Sequence, residues 1–178
     1  VGEGMRTTLC VGIPVGEVPE SEAIVVALKS RTIPAEEALA QSLAALKWLQ
    51  EAGAQQVFFK YCSTFDSTDE GNIGPVAEAL LEKLGGELAI ACPAFPENGR
   101  SVYKGHLFVG DVLLSESGME HHPLTPMTDA NLVTVLGRQA KGEVGLVDYV
   151  VVEAGVGAIG RRFAELVGEG KRLAVVDA

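Results

Sequence analysis

The sequence contains no long hydrophobic run, no excess of basic residues and few cysteines. Its longest uncharged apolar stretches, such as residues 23–28 and 149–152, fall far short of the roughly 20 residues that cross a membrane as a helix. A formal net charge of −10 argues against nucleic acid as a ligand, because phosphates are bound by basic surfaces. We therefore expect neither a membrane nor a nucleic acid as a partner.

The few cysteines and the first residues of the chain indicate a reducing compartment. Cys10, Cys62 and Cys92 are an odd set, each within an apolar segment, and they form no disulfide pattern. The first residue is valine, and no basic segment precedes an apolar run as it would in a secretory signal. These features predict a cytoplasmic protein with buried free thiols.

Motifs for metal and phosphate binding are also missing from the sequence. It contains no C-x-x-C pair, no H-E-x-x-H motif and no G-x-x-x-x-G-K-[S/T] phosphate loop. His121 and His122 stand near Asp129, but adjacent residues of a strand point to opposite faces and rarely bind one ion. We expect no metal site here, and nucleotide chemistry would need another domain or another mode of binding.

Hydrophobic periodicity predicts one α/β domain in these 178 residues, 47% of which are hydrophobic. Helices between short strands indicate βαβ units and a mainly parallel sheet flanked by helices, in a Rossmann-like, three-layer arrangement. Residues 102–114 instead predict a β-hairpin or arm outside that sheet. The predicted strands are residues 7–11, 23–28, 56–62, 88–92, 144–147 and 173–176, and the predicted helices are residues 34–52, 73–84 and 131–139.

The strongest candidate for a binding site is the segment 60–68, KYCSTFDST, in which a predicted strand runs directly into polar residues. Parallel sheets carry their ligands at the carboxyl ends of the strands. Lys60 supplies a positive charge for a carboxylate or phosphate. Ser63 and Thr64 supply hydroxyls, and Asp66 can bind sugar hydroxyls. The alternative is a solvated loop in which a hydroxyl forms a turn.

Two further loops follow strands at the same expected edge. Arg31 follows the second strand and can grip a carboxylate with two hydrogen bonds near Lys60. Asn98 and Arg100 follow the fourth strand, in the loop PENGR. Each loop taken alone is equally explained by surface charge or by a turn, since Asn98-Gly99 is a turn dipeptide. Their convergence favours a site for an acidic small molecule.

A run of glycines gives the sequence a competing interpretation. Residues 155–160, GVGAIG, match the G-x-G-x-x-G dinucleotide fingerprint, with Asp177 placed to bind a ribose after a strand over 149–154. The alternative places Asp148 at a helix N-cap and continues one helix to Val167. Periodicity does not decide between them, and local propensity favours the strand because glycines weaken a helix.

Three long and unusual stretches are residues 60–74 (KYCSTFDSTDEGNIG), 93–100 (PAFPENGR) and 105–129 (GHLFVGDVLLSESGMEHHPLTPMTD). These stretches resemble the four-carbon acid sugar kinase family, in particular its 3-oxo-tetronate kinase branch, and the likeness extends from about residue 6 to residue 178. The resemblance implies a kinase that transfers phosphate from ATP to the terminal 4-hydroxyl of a four-carbon sugar acid such as 3-dehydro-erythronate. It also favours a helix where the glycine run lies.

In such kinases an N-terminal domain holds the acid, and a C-terminal domain holds ATP with Mg²⁺. The resemblance therefore implies that residues 1–178 form the sugar-acid-binding domain, without the first strand-loop-helix unit and without the nucleotide-binding domain. Alone, such a chain is expected to be inactive and to bind no cofactor, and no residue is assigned as its catalytic base. The substrate-binding residues implied are Arg31, Lys60, Ser63, Thr64, Asp66, Asn98 and Arg100.

Two other functions stay open at this point. A noncatalytic sugar-acid binding module would have the same binding loops, and an oxidoreductase fragment would use the glycines of residues 155–160 to bind a dinucleotide. The arm at residues 102–114 has enough apolar residues to form a homodimer interface. It can equally pack on its own domain or cover the cleft.

Overall fold

Short apolar strands and amphipathic helices alternate along residues 4–178, which are the part of the chain that this computed structural model describes. Within that part, none of the helices is long and apolar enough to cross a membrane. In chain order the elements are β1 (Thr7–Val11), β2 (Ala23–Ala27), α1 (Ala35–Glu51), α2 (Ile73–Leu84), β3 (Ala89–Ala91), β4 (Arg100–Tyr103), β5 (His106–Val109), β6 (Val112–Leu113), α3 (Leu132–Gln139), β7 (Val144–Val147), α4 (Tyr149–Glu153), α5 (Val156–Gly168) and β8 (Leu173–Val176).

Parallel pairing organises most of the strands. β1 pairs with β2, and β8 lies between β3 and β7, all in parallel. In the arm, β5 lies between β4 and β6 with antiparallel pairing. The mainly parallel α/β fold with flanking helices and an arm around residues 102–114 is thus confirmed, although the arm is a three-stranded meander rather than a single hairpin.

Local sequence signals set the ends of α1 and α2. Pro34 precedes α1, and Glu36 and Glu37 lie in its first turn, where the helix dipole favours negative charge. Gly53 follows α1 with φ of +86°, and Gly85 ends α2 with φ of +67°. Glycine adopts this left-handed conformation at little cost, so both helices stop where the sequence predicts.

The hydrophobic core holds the loop that follows residue 62 in place. Its largest cluster joins side chains of β8, α3 and the arm to Phe65, which is fully buried together with Leu107 and Leu132. A second cluster joins α1 to α2 through buried Leu46 and Leu80. Burying each such side chain contributes about 1.5–3 kcal/mol. Phe65 therefore anchors the polar loop on either side of it to the core.

The prediction of a strand over residues 56–62 is wrong. Val57 and Phe59 pack against the core, and Phe58 between them is 83% exposed. Buried and exposed side chains therefore alternate as they would in a strand. In the described chain, however, no ladder joins this segment to β2 or to β3, so the parallel strands form two sheets instead of one. Alternation predicts which side chains are buried, but not whether a neighbouring strand lies within hydrogen-bonding distance.

The strand expected by the dinucleotide interpretation is also wrong. The segment after β7 is helical, and the Asp148 carboxylate accepts a hydrogen bond of 3.1 Å from the N–H of Val151 as an N-cap. The helix is not continuous to Val167, because Gly155 adopts φ of +87° and separates α4 from α5. Asp177, the expected ribose ligand, is buried at 1% exposure, so a ribose cannot reach it.

Candidate functional site

A cleft of about 170 Å³ opens beside the carboxyl end of β2 and the amino end of α2. It brings together three of the predicted site residues, namely Arg31, Lys60 and Asp66. Two cations and one carboxylate at the same cleft make it the candidate functional site. Its lining residues are Ser30, Arg31, Phe59, Lys60, Tyr61, Cys62, Asp66, Asn72 and Ile73.

Asp66 forms the polar floor of this cleft. Its side chain is 3% exposed, and its Oδ2 lies 3.5 Å from Nη1 of Arg31, whose own side chain is 59% exposed. The hydroxyl of Thr64 donates a hydrogen bond to Oδ1 of Asp66. The guanidinium is thus held at one end by a buried carboxylate, and its other N–H groups can bind an anion.

The turn between Thr64 and Asp66 places the carboxylate in the cleft. Phe65 adopts φ of +51°, a left-handed conformation that is uncommon outside glycine, and its N–H donates to the carbonyl of Cys62 at 2.9 Å. Its ring packs edge-on against Tyr61 with centroids 5.2 Å apart. Full burial of the Phe65 ring compensates for the unfavourable backbone, which turns Asp66 toward Arg31.

Lys60 lies at the rim of the cleft. Its residue is exposed, and its ammonium donates a hydrogen bond to the carbonyl of Tyr61. A lysine in this position keeps two N–H donors for a ligand and moves easily, because its contact is with a backbone carbonyl and not with a carboxylate. Lys60 and Arg31 together give the rim a positive charge on an otherwise acidic chain.

The other predicted site residues lie outside the described lining of the cleft. Thr64 is buried behind Asp66, and Ser63 is half-buried in the turn that follows Cys62. Asn98 and Arg100 lie at the base of the arm, where the guanidinium of Arg100 donates to the carbonyl of Asn98. The predicted convergence of three loops is therefore seen for two of them.

Asn72 lines the cleft and Gln139 contacts the loop and helix next to it, and both were missed by sequence reasoning. Asn72 donates its amide hydrogens to the carbonyls of Ser30 and Ile33, at 2.8 and 3.0 Å. Gln139 of α3 donates to the Ser67 hydroxyl at 2.7 Å and accepts from a backbone N–H at the start of α2 at 2.9 Å. These contacts join residues 39 to 72 positions apart, so no local pattern in the sequence reports them.

Two ionisable groups next to the cleft are neutral at physiological pH. Burial raises the pKa of the Tyr61 phenol to about 12, and the phenol oxygen accepts a hydrogen bond of 3.1 Å from the N–H of Cys92. Burial also raises the pKa of the Cys92 thiol. The thiol is therefore a poor nucleophile, and the charge at the cleft comes from its two cations and Asp66.

The donor set of the cleft does not suit a divalent metal ion. Mg²⁺ requires several oxygen ligands in octahedral geometry, whereas this cleft offers one carboxylate that already contacts a guanidinium. In residues 4–178, no three His, Cys, Asp or Glu side chains come close enough together to hold a metal ion. The side chains that line the cleft are instead suited to binding an anion and to hydrogen bonding.

Comparison with known proteins identifies the family of the chain. The family described as "Sugar-binding N-terminal domain" matches residues 1–178. The chain belongs to this family. The resemblance of the three sequence stretches to the N-terminal domain of the four-carbon acid sugar kinases is thereby confirmed.

The domain is similar over its whole length to proteins named 3-oxo-tetronate kinase. The one from Cupriavidus necator is 63% identical over 182 residues, which cover 100% of this chain and 42% of the relative. The one from Burkholderia multivorans is 61% identical, with the same coverage. The chain thus spans about two fifths of the length of the curated relatives that it matches.

Solved structures share the fold. A Haemophilus influenzae protein superimposes with a TM-score of 0.95 at 53% identity. The match covers 98% of this chain and 43% of the Haemophilus chain. A domain of unknown function from Bordetella bronchiseptica, described with bound citrate and as a domain-swapped dimer, superimposes with a TM-score of 0.73 at 28% identity. That match covers 98% of this chain and 42% of the Bordetella chain.

Proposed function

We propose that this chain is the substrate-binding domain of an ATP-dependent kinase that phosphorylates a four-carbon 3-oxo sugar acid at its terminal 4-hydroxyl. The names of relatives that are 63% and 61% identical over the whole chain support this reaction class. We propose further that the chain is one domain of a two-domain enzyme, since it matches about two fifths of those relatives. The role of the chain itself is then to bind and orient the acid.

The cleft with Arg31 and Lys60 on one rim is the observation that carries this proposal. A four-carbon acid needs a cationic anchor for its carboxylate and hydrogen-bonding groups for its keto and hydroxyl oxygens. The overall charge of −10 would repel such an anion, so local cations are required to capture it. Citrate bound to the Bordetella relative is a small carboxylic acid of the same chemical class.

We assign each residue a role in binding the acid from the chemistry of its side chain. Arg31 presents the free edge of its guanidinium to the carboxylate, and Lys60 binds the same carboxylate or the keto oxygen. Asp66 orients Arg31 and keeps unused lone pairs for a sugar hydroxyl, with Thr64 as its support. Ser63 is proposed as a further hydroxyl ligand. The proposal also retains Asn98 and Arg100, which lie at the base of the arm outside the cleft lining, because ligand binding can reorganise side chains.

Phosphoryl transfer is achieved largely by positioning and by electrostatic stabilisation, so residues that fix the acid influence both affinity and rate. The donor set of the cleft does not suit Mg²⁺, and the sequence has no phosphate loop. We therefore propose that ATP and Mg²⁺ are bound mainly outside this chain. The contribution of the chain to the reaction is to hold the terminal hydroxyl of the acid at a fixed place.

The test is ATP-dependent phosphorylation of 3-oxo-tetronate by the full-length protein and by its Lys60→Ala variant. We expect the wild type to form the 4-phosphate, detected by ³¹P NMR. The variant should lose about tenfold in kcat/KM for the acid, because one charge-assisted contact is removed, while KM for ATP stays within about twofold. Lys47→Ala is the matched control, since Lys47 on α1 is 77% exposed and forms an ion pair with Glu51 of the same helix.

Three results would contradict parts of the proposal. Binding of the acid without turnover by the full-length protein would make it a binding module and not a kinase. A product phosphorylated elsewhere than the 4-hydroxyl would overturn the regiochemistry. An unchanged kcat/KM in Lys60→Ala would remove Lys60 from the site without affecting the reaction class.

We include a homodimer in the proposal, because the Bordetella relative is described as a domain-swapped dimer. The arm formed by β4, β5 and β6 presents Tyr103 at 46% exposure and Val112 at 43% exposure, which are apolar surfaces that a second copy can cover. Light scattering on the full-length protein measures its mass directly. A monomer at micromolar concentration would refute this part of the proposal.

A further inference from the structure

We infer that Asn72 is a positioning residue that holds the loop of Arg31 at the rim of the cleft. This inference rests on the proposed function, because it concerns the residue that we propose to bind the substrate carboxylate. Asn72 itself is not assigned a contact with the substrate. It acts through Arg31, by fixing the backbone on both sides of that residue.

The side chain of Asn72 does not do what its position predicts. It stands directly before α2, where asparagine normally accepts a hydrogen bond from a helix N–H as an N-cap. Across the described residues its side chain makes no such capping bond. Asn72 is only 7% exposed, so its amide needs other partners within the fold. Its amide instead donates to the carbonyls of Ser30 at 2.8 Å and Ile33 at 3.0 Å. The side chain therefore forms two hydrogen bonds with the loop after β2 instead of capping α2.

These two carbonyls bracket Arg31. Ser30 precedes it and Ile33 follows it two positions later, so one buried amide fixes both ends of the short segment that carries the guanidinium. The segment begins at Lys29, which adopts φ of +54°, a left-handed conformation that costs free energy outside glycine. A loop with such a backbone keeps its shape only where surrounding contacts hold it.

Asn72 and Asp66 hold Arg31 in complementary ways. Asn72 fixes the backbone, and Asp66 contacts one end of the guanidinium through Oδ2 at 3.5 Å. An arginine that is fixed before binding loses less side-chain freedom when it grips a carboxylate, and this saving increases affinity. Removing the backbone anchor should therefore weaken acid binding while every group that contacts the acid stays present.

Asn72→Asp tests this inference in the full-length protein. The substitution keeps size and shape and supplies a good N-cap for α2, but it replaces two donors with acceptors that face two carbonyls. Asn131→Asp is the matched control, because Asn131 at the start of α3 accepts a capping bond of 3.2 Å from Thr134 that a carboxylate can also accept. If the buried carboxylate of Asn72→Asp prevents folding, Asn72→Ser replaces it as the test variant. Serine keeps one hydrogen-bond donor and is also a good N-cap residue.

We expect KM for 3-oxo-tetronate to rise about tenfold in Asn72→Asp, and KM for ATP to change by less than about twofold. Asn131→Asp should change neither. A purely structural role for Asn72 would lower kcat, the affinity for ATP and thermal stability together. An unchanged KM for the acid in both Asn72 variants would overturn the inference.

A double-mutant cycle with Arg31→Ala separates this inference from the proposed function. If Asn72 acts through Arg31, adding Asn72→Asp to Arg31→Ala should raise KM for the acid by less than about twofold further. Additive effects in the double variant would overturn the inference and leave the role of Arg31 intact. If Arg31→Ala alone leaves KM for the acid unchanged, the proposed role of Arg31 is wrong, and the inference fails with it.

Discussion

Asp66 and Asp177 are both buried carboxylates, yet their surroundings differ in kind. Asp66 is 4% exposed, lines the cleft and contacts two side chains, one of which is the exposed Arg31. Asp177 is 1% exposed and accepts hydrogen bonds from three backbone N–H groups at two places in the chain. Asp66 contacts an exposed cation at the cleft, whereas Asp177 connects separate segments of the fold.

The contacts of Asp177 show how a buried charge is satisfied without a counter-ion. It follows β8 and accepts hydrogen bonds from the N–H groups of Lys104 at 2.5 Å and Gly105 at 2.8 Å, both in the turn between β4 and β5. A third comes from Tyr149 at 2.8 Å, the first residue of α4. The carboxylate thereby connects the arm, the sheet and the helix after β7.

The difference teaches what a buried charge indicates about function. Donors for Asp177 are three backbone N–H groups that cannot move away, so most of its hydrogen-bonding capacity is used within the fold. Arg31 next to Asp66 is a side chain that is 59% exposed, so that contact can be shared with a ligand. Variants at the two carboxylates should therefore separate stability from substrate binding.

The largest expected effect is that of Asp177→Asn on stability. The amide keeps the shape but turns an NH₂ group toward one of three backbone donors, and the charge-assisted bonds are lost. We expect the free energy of unfolding to fall by about 3 kcal/mol, measured by urea denaturation. Asp111→Asn, at an exposed position on the arm, is the control and should stay within about 0.5 kcal/mol. Equal stability of the two variants would show that the three bonds contribute nothing.

Gly71→Ala should disturb the loop that carries Asp66. A Cβ at this position would overlap the Ser67 hydroxyl and lie 2.8 Å from the carbonyl oxygen of Thr68. We expect a loss of about 2 kcal/mol and weaker binding of the acid, since the loop must shift. Gly142→Ala is the matched control, because nothing lies within 4 Å of its Cβ position. If both alanines were tolerated equally, the packing of this loop would not constrain the cleft.

Asp66→Asn should affect stability less than Asp177→Asn and substrate binding more. The Thr64 hydroxyl can still donate to the amide oxygen of the asparagine. The interaction that is lost is the ion pair with Arg31, whose side chain already contacts solvent. We expect about 1 kcal/mol of lost stability and a KM for 3-oxo-tetronate about tenfold higher. Calorimetry and steady-state kinetics measure the two effects. A larger loss of stability than in Asp177→Asn would reverse the comparison.

Local sequence patterns predict much of this fold because they depend on neighbours in the chain. Pro34 and Gly53 bound α1, and the αL glycine Gly85 ends α2, each through the conformation of one residue. The loop of residues 60–68 is likewise recognisable as polar sequence after an apolar run. Two of the predicted site residues in this loop, Lys60 and Asp66, line the cleft.

The rest depends on contacts between distant residues. Asn72 before an apolar helix predicts an N-cap, and only the approach of a loop about 40 positions away redirects its amide to Ser30 and Ile33. Asp177 at the end of a strand looks like a ribose ligand until the arm and α4 surround it. Burial pattern alone also fails for residues 56–62, because strand pairing depends on where the neighbouring strands lie.

The smallest expected effect is at Gly160, which lies in α5. A dinucleotide loop would need this glycine for close packing of helix and strand, whereas in a helix interior alanine is favoured over glycine. Because nothing lies within 4 Å of its Cβ position, Gly160→Ala should raise the free energy of unfolding by about 0.5 kcal/mol and leave KM for the acid unchanged. Thermal denaturation measures the gain, and a loss of stability would mean that α5 packs more tightly against its surroundings than the open space at Gly160 indicates.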